Sequence, residues 1–93
     1  MTNVATGIAS TTATAFKDLL TLLNRLEAAK LAYTLRKVRP EAIMVLVRVP
    51  GEHWEIEFVD YGDEVHVEVE CYTSDGEVGD ERRLDNLFAD NAD

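Results

Sequence analysis

The chain has 93 residues, 46% of them hydrophobic, and a formal net charge of −9. This length supports one domain with a modest core, and it argues against a deep, multilayered active site. The negative charge disfavours binding to nucleic acid and to anionic membranes. The longest apolar run, residues 42–47, is too short to span a bilayer.

The first segment, residues 1–14, is rich in Thr and Ala and contains no Lys or Arg. It lacks the charged and apolar regions of a signal peptide, so we expect a disordered lead-in. A single domain over residues 15–90 and a frayed tail at 91–93 should follow. Cys71 is the only cysteine, which excludes an intrachain disulfide and is typical of a cytoplasmic protein.

The next segment, residues 15–32, has apolar side chains at 3-and-4 spacing and contains no Gly or Pro. This pattern predicts an amphipathic helix that needs a sheet to cover its apolar stripe. Residues 33–38 fit either a continuation of this helix or a short strand. Because the residue before Pro40 avoids the helical region, we favour the strand.

Three further runs predict strands. Residues 42–49 are rich in β-branched side chains, and residues 53–59 and 64–72 alternate apolar and polar side chains. Turn sequences separate them, Pro50-Gly51 first and Asp60–Asp63 second. A closing helix follows, with Asp80 as its cap and with Leu84, Leu87 and Phe88 on one side. The expected fold is α+β: an N-terminal helix, a three- to four-stranded antiparallel β-meander and a short C-terminal helix, packed as a two-layer sandwich with one wet sheet face.

The second and third of these strands carry the same pattern twice, His-x-Glu-x-Glu. Period two directs the apolar residues inward and the His and Glu residues outward. Residues that oppose each other on neighbouring strands lie on the same face. The inward residues are even-numbered on the first of these two strands and odd-numbered on the second, so the numbers of two opposed residues sum to an odd value. A loop of two residues, Tyr61-Gly62, or of four, residues 60–63, makes this sum 123. The predicted outer pairs are Glu57–His66, Glu55–Glu68 and His53–Glu70, with Arg48 beside Glu55.

Imidazole and carboxylate groups suit transition metals, so a metal site on this face is one hypothesis. In the predicted register, however, His53 and His66 lie roughly 13 Å apart. The predicted pairs Glu57–His66 and His53–Glu70 then lie at opposite ends of the face, and each pair offers only two protein ligands. Catalytic zinc normally takes three. We therefore expect no metal, no cofactor and no catalytic residue, and an inert core thiol at Cys71.

Charge is unevenly distributed along the chain. Residues 17–48 have seven basic and three acidic residues, whereas residues 49–93 have two basic and fifteen acidic ones. We expect a non-enzymatic, acidic protein-binding module that takes a basic protein partner. The alternatives are a homodimer formed through an outward apolar patch and a His/Glu metal-binding protein. The expected partner-binding residues are Glu55, Glu57, His66, Glu68, Glu70, Met44, Leu46 and Tyr72.

The stretch from Val49 to Phe58, Val-Pro-Gly-Glu-His-Trp-Glu-Ile-Glu-Phe, is followed by Asp75-Gly76 and an acidic helix. It resembles a group of short uncharacterised bacterial proteins and is similar in style to small immunity proteins of bacterial toxin systems. The likeness extends over residues 16–88 in layout, and it brings no functional residues with it. What it implies is an acidic surface that blocks a cationic toxin domain.

Overall fold

The computed structural model describes residues 10–74, 76, 78–79 and 84–91. The predicted α+β fold is confirmed: an N-terminal helix and a C-terminal helix flank a meander of four antiparallel strands, and two strands of two residues each extend the sheet. In chain order the elements are β1 (Ser10–Thr11), α1 (Thr12–Ala28), β2 (Tyr33–Arg36), β3 (Ala42–Val49), β4 (Glu52–Asp60), β5 (Glu64–Thr73), β6 (Val78–Gly79) and α2 (Leu84–Asp90).

The N-terminal helix begins and ends earlier than predicted. Ser10–Thr11 form β1, and α1 starts at Thr12, three residues before the predicted start of the helix at residue 15. At the other end, Lys30 has a left-handed backbone with φ of 59°. The Leu31 N–H donates to the Leu26 carbonyl and the Lys30 N–H to the Glu27 carbonyl, which is the hydrogen-bond pattern of a Schellman stop. Segment 33–36 is therefore free to form the strand that we favoured.

The sheet has the order β1-β5-β4-β3-β2, and β6 also pairs with β5. All pairings are antiparallel. None of the helices in the described residues is long and apolar enough to cross a membrane. The predicted cap Asp80, residues 1–9 of the lead-in and residues 92–93 of the tail lie outside the described residues.

The inner face of the sheet forms the core with both helices. Its strand residues are the ones that period two directed inward, and they pack against leucines of α1 and α2. Trp54 is fully buried, and its indole N–H donates to the Glu52 carboxylate at 3.1 Å. The fully buried members are Leu22, Leu26, Val45, Val47, Trp54, Ile56, Cys71 and Leu87.

The predicted register between β4 and β5 is wrong by two residues. Asp60 pairs with Val65, and the Tyr61 N–H donates to the Glu64 carbonyl, so the chain reverses at Gly62-Asp63. The residue numbers of each β4–β5 pair sum to 125 instead of 123. This difference of two keeps every side chain on its predicted face of the sheet but changes its partner across the strands. The outer pairs are Glu57–Glu68, Glu55–Glu70, His53–Tyr72 and Val59–His66.

The register between β3 and β4 differs from the prediction in the same way. Val49 pairs with Glu52 across the two-residue loop Pro50-Gly51, where Gly51 has a φ of 78° that glycine adopts without strain. The predicted row of Arg48, Glu55 and Glu68 therefore does not form. Arg48 instead pairs with His53, Leu46 with Glu55, and Met44 with Glu57.

Candidate functional site

We call the side of the sheet opposite the core the outer face; its residues have even numbers on β2, β3 and β5 and odd numbers on β4. Four of its glutamates form two pairs across β4 and β5, Glu57 with Glu68 and Glu55 with Glu70. Like charges placed directly opposite each other destabilise a sheet. Each pair must therefore find donors or cations elsewhere in the molecule.

The Glu57–Glu68 pair is neutralised by Arg39, which lies in the loop between β2 and β3. Arg39 Nη2 and Nε donate to the two carboxylate oxygens of Glu57 at 2.7 and 3.3 Å, and Nη2 lies 3.5 Å from Glu68 Oε1. Such bidentate pairing is the strong form of an ion pair. It raises the pKa of Arg39, mainly through the hydrogen bond to Glu57. It also explains how Glu57 can be only 8% exposed.

Tyr61 adds a second donor to this pair from the hairpin between β4 and β5. Its hydroxyl donates to Glu68 Oε2 at 2.8 Å, which raises the pKa of Tyr61 above its usual value. The Tyr61 ring also meets the His66 ring edge to face, with the centroids 4.6 Å apart. Arg39 and Tyr61 thus tie two loops at one end of the sheet to the same carboxylate pair.

The Glu55–Glu70 pair is held differently. Glu55 Oε2 lies 3.0 Å from His53 Nε2, and Glu70 Oε2 accepts the Tyr72 hydroxyl at 2.6 Å. That hydrogen bond, followed by burial and the charges of Glu70 and Glu55, raises the pKa of Tyr72 to about 12. Within the described part of the chain, no Lys or Arg forms an ion pair with either carboxylate.

The two histidines contact glutamates of their own strands, not those across the ladder. His53 contacts Glu55, and His66 Nε2 lies 3.1 Å from Glu64 Oε2. The predicted Glu57–His66 and His53–Glu70 contacts are therefore absent from the outer face as the structure describes it. In residues 10–74, 76, 78–79 and 84–91, no group of three His, Cys, Asp or Glu side chains is placed to hold a metal ion.

The β2–β3 side of the outer face is basic. Arg36 and Arg48 border a hollow of about 340 Å³ whose lining also includes Leu46 and Thr34. Arg36 and Arg48 are both exposed, and neither forms an ion pair with another described residue. The hollow is lined by Ala32, Tyr33, Thr34, Arg36, Leu46 and Arg48, and we call it the basic hollow.

The structure brings most of the predicted binding residues together. The four paired glutamates share the outer face with the half-buried Met44, Leu46 and Tyr72, whereas His66 lies beside Tyr61 near the hairpin. The outward residue Val59 does not contribute to an exposed apolar patch, because it is fully buried. Sequence reasoning missed the contact of Arg39 with Glu57 and the hollow that Arg36 and Arg48 border. Arg39 carries no periodic signal, since it lies in a loop and is 18 residues from Glu57.

Compared with known protein families, with curated protein sequences and with solved structures, the chain shows no significant match. A functional assignment therefore rests on the chemistry of the outer face.

Proposed function

We propose that the protein is a non-enzymatic binding module that uses the carboxylates of its outer face to hold a basic side chain of a protein partner. The observation that supports it is the contrast between the two glutamate pairs. Arg39 neutralises Glu57 and Glu68 from within the chain, whereas Glu55 and Glu70 have no such cation among the described residues. A guanidinium or ammonium group from a partner would complete the second pair as Arg39 completes the first.

The surroundings of the Glu55–Glu70 pair favour recognition of a protein surface. Leu46 on β3 is paired with Glu55 on β4, and the Tyr72 hydroxyl donates to Glu70. A half-buried apolar side chain and a half-buried aromatic one therefore flank the two carboxylates. Protein interfaces combine such groups with charges that set orientation and association rate. Cys71 is buried and is the only cysteine of the sequence, which is consistent with a cytoplasmic site of action. In an immunity-like setting, the basic partner would be a toxin domain.

The test uses a defined probe, a fluorescent peptide in which arginines alternate with apolar residues, titrated at low and high salt. The double variant Glu55→Gln/Glu70→Gln should bind about tenfold more weakly, a loss of about 1.4 kcal/mol. The control, Glu27→Gln/Glu41→Gln, changes the net charge equally but alters exposed residues away from the pair. High salt should weaken wild-type binding because exposed charges are screened.

Equal losses in the two double variants would contradict the proposal, because binding would then depend on net charge alone. Absence of binding to the peptide at low salt would contradict it as well.

A further inference from the structure

The outer face is divided into an acidic half and a basic half. The paired carboxylates lie on β4 and β5, whereas Arg36 and Arg48 lie on β2 and β3. Among the described residues, neither arginine forms an ion pair, and no Lys or Arg pairs with Glu55 or Glu70. Within residues 10–74, 76, 78–79 and 84–91, both the Glu55–Glu70 pair and the basic hollow thus have no salt-bridge partner of opposite charge from a Lys, Arg, Asp or Glu side chain.

These two features lie at opposite ends of one row of residues across the sheet. Cross-strand pairing places Thr34 beside Leu46, Leu46 beside Glu55, and Glu55 beside Glu70. Thr34 lies between Arg36 and Arg48 in the lining of the basic hollow. The exposed carboxylate of Glu70 thus stands at one end of the row, and the basic hollow lies at the other.

We propose that the partner of this face is a second copy of the chain, packed face to face about a two-fold axis parallel to the strands. The inference rests on the proposed function, because it names the partner of the same carboxylates. An axis that crosses the row between Leu46 and Glu55 places β5 of each copy over β2 of the other. Glu70 of one copy then lies over Thr34 of its partner, between Arg36 and Arg48, and the contact occurs twice.

The centre of this interface is apolar. Met44 and Leu46 are half-buried on β3, next to the axis, so both copies bring them to the middle of the contact. Four strands of about eight residues cover roughly 19 by 27 Å, or about 500 Å² per copy. Stable interfaces bury about 800 Å² per partner, so we expect a weak, reversible dimer whose charges make it sensitive to salt.

Charge reversal on each half of the face tests the arrangement. Light scattering and native mass spectrometry of the wild-type chain at increasing concentration in low salt should show a dimer that high salt dissociates. Arg48→Glu and Glu70→Arg should each raise the dimer dissociation constant about tenfold or more, because each places like charges together at both contacts. An equimolar mixture of the two variants should form the mixed dimer, since the contact between positions 48 and 70 then joins opposite charges at both of its occurrences. Lys17→Glu, on an exposed position of α1, is the matched control and should leave the dimer intact.

A wild-type chain that stays monomeric at every concentration in low salt would overturn this inference. The same holds if both variants dimerise normally or if their mixture fails to associate. Peptide binding is measured separately at concentrations where the chain is monomeric. A monomeric chain whose peptide binding depends on Glu55 and Glu70 would overturn the dimer and leave the proposed function standing. A dimer with the expected charge dependence, but without peptide binding, would support the inference and contradict recognition of other basic partners.

Discussion

The two glutamate pairs of the outer face have the same composition and lie on the same two strands, yet the molecule treats them differently. Glu57 and Glu68 share one guanidinium from Arg39, and Glu57 is only 8% exposed. The side chain of Glu55 is 29% exposed and Glu70 is exposed, and their contacts are with His53 and Tyr72. The first pair is thus tied to a loop by an ion pair, whereas the second has no Lys or Arg partner among the described residues and is the one that we propose as the binding site.

The difference follows from where the loops lie. Arg39 precedes β3 and Tyr61 follows β4, so both reach the end of the sheet at which Glu57 and Glu68 face each other. On each strand, the Glu55–Glu70 pair lies two residues farther from this end of the sheet. The side chains of Arg39 and Tyr61 do not contact it. The position of the loops thus explains why Arg39 reaches one carboxylate pair and not the other.

Removal of the Arg39 charge should have the largest effect on stability. Arg39→Met leaves the buried Glu57 carboxylate without its two donors, and a buried acceptor left unsatisfied costs about 1–3 kcal/mol. Arg36→Met is the control, since it removes the same charge from the outer face without breaking an ion pair among the described residues. Urea unfolding should show a clearly lower midpoint for the first variant only. Equal midpoints would mean that the Glu57–Glu68 pair does not depend on Arg39.

The same substitution at the two pairs should act in opposite directions. Glu68→Lys places a second cation beside Arg39 and removes the acceptor of Tyr61, so it should destabilise the fold. Glu70→Lys also removes the acceptor of Tyr72, but it relieves the like-charge pair and places a cation opposite Glu55, a cross-strand gain of about 0.2–1 kcal/mol, so it should stabilise the fold slightly. Thermal unfolding at high dilution measures both without a contribution from self-association. Two shifts of the same sign would show that the pairs are electrostatically equivalent.

The smallest expected effect is on stability at alkaline pH. Tyr72 has a pKa raised from 10.0 to about 12, mainly by its hydrogen bond to Glu70. The neutral phenol is therefore favoured in the fold, and this stabilisation is complete below pH 10 and is lost as the pH rises through 12. Absorbance titration of tyrosinate should show that Tyr72→Phe removes the highest step.

Tyr61→Phe serves as the control for this titration, since Tyr61 has a raised pKa of its own but contacts the other glutamate pair. This control should leave the highest step in place. Persistence of that step in Tyr72→Phe would contradict the assignment.

Much of the fold was accessible from residue patterns. Alternation in β4 and β5 assigned Trp54, Ile56 and Val67 to the core, and all three are buried. The alternation could not decide which residues oppose one another, because a shift of two residues leaves every side chain on its face. The predicted Glu57–His66 pair was wrong for that reason, and the observed partner is Glu68.

The main parts of the candidate site that sequence reasoning missed depend on contacts between segments that are separate in the sequence. Arg39 precedes a proline and a strand, and nothing in its neighbours indicates that its guanidinium reaches Glu57. The basic hollow forms only because β2 lies at the edge of the sheet beside β3, which brings Arg36 and Arg48 to its border. Contacts of this kind depend on how separate segments pack, which local periodicity does not encode.

The sequence by itself determined the α+β class, the faces of the strands and the acidic character of β4 and β5 on the outer face, because these follow from side-chain period and composition. Only the tertiary structure decided which carboxylates oppose each other, since the loops at Pro50-Gly51 and Gly62-Asp63 set the register. It also decided that Arg39 neutralises one pair and leaves the other, because the reach of a loop side chain depends on where the loop ends in space.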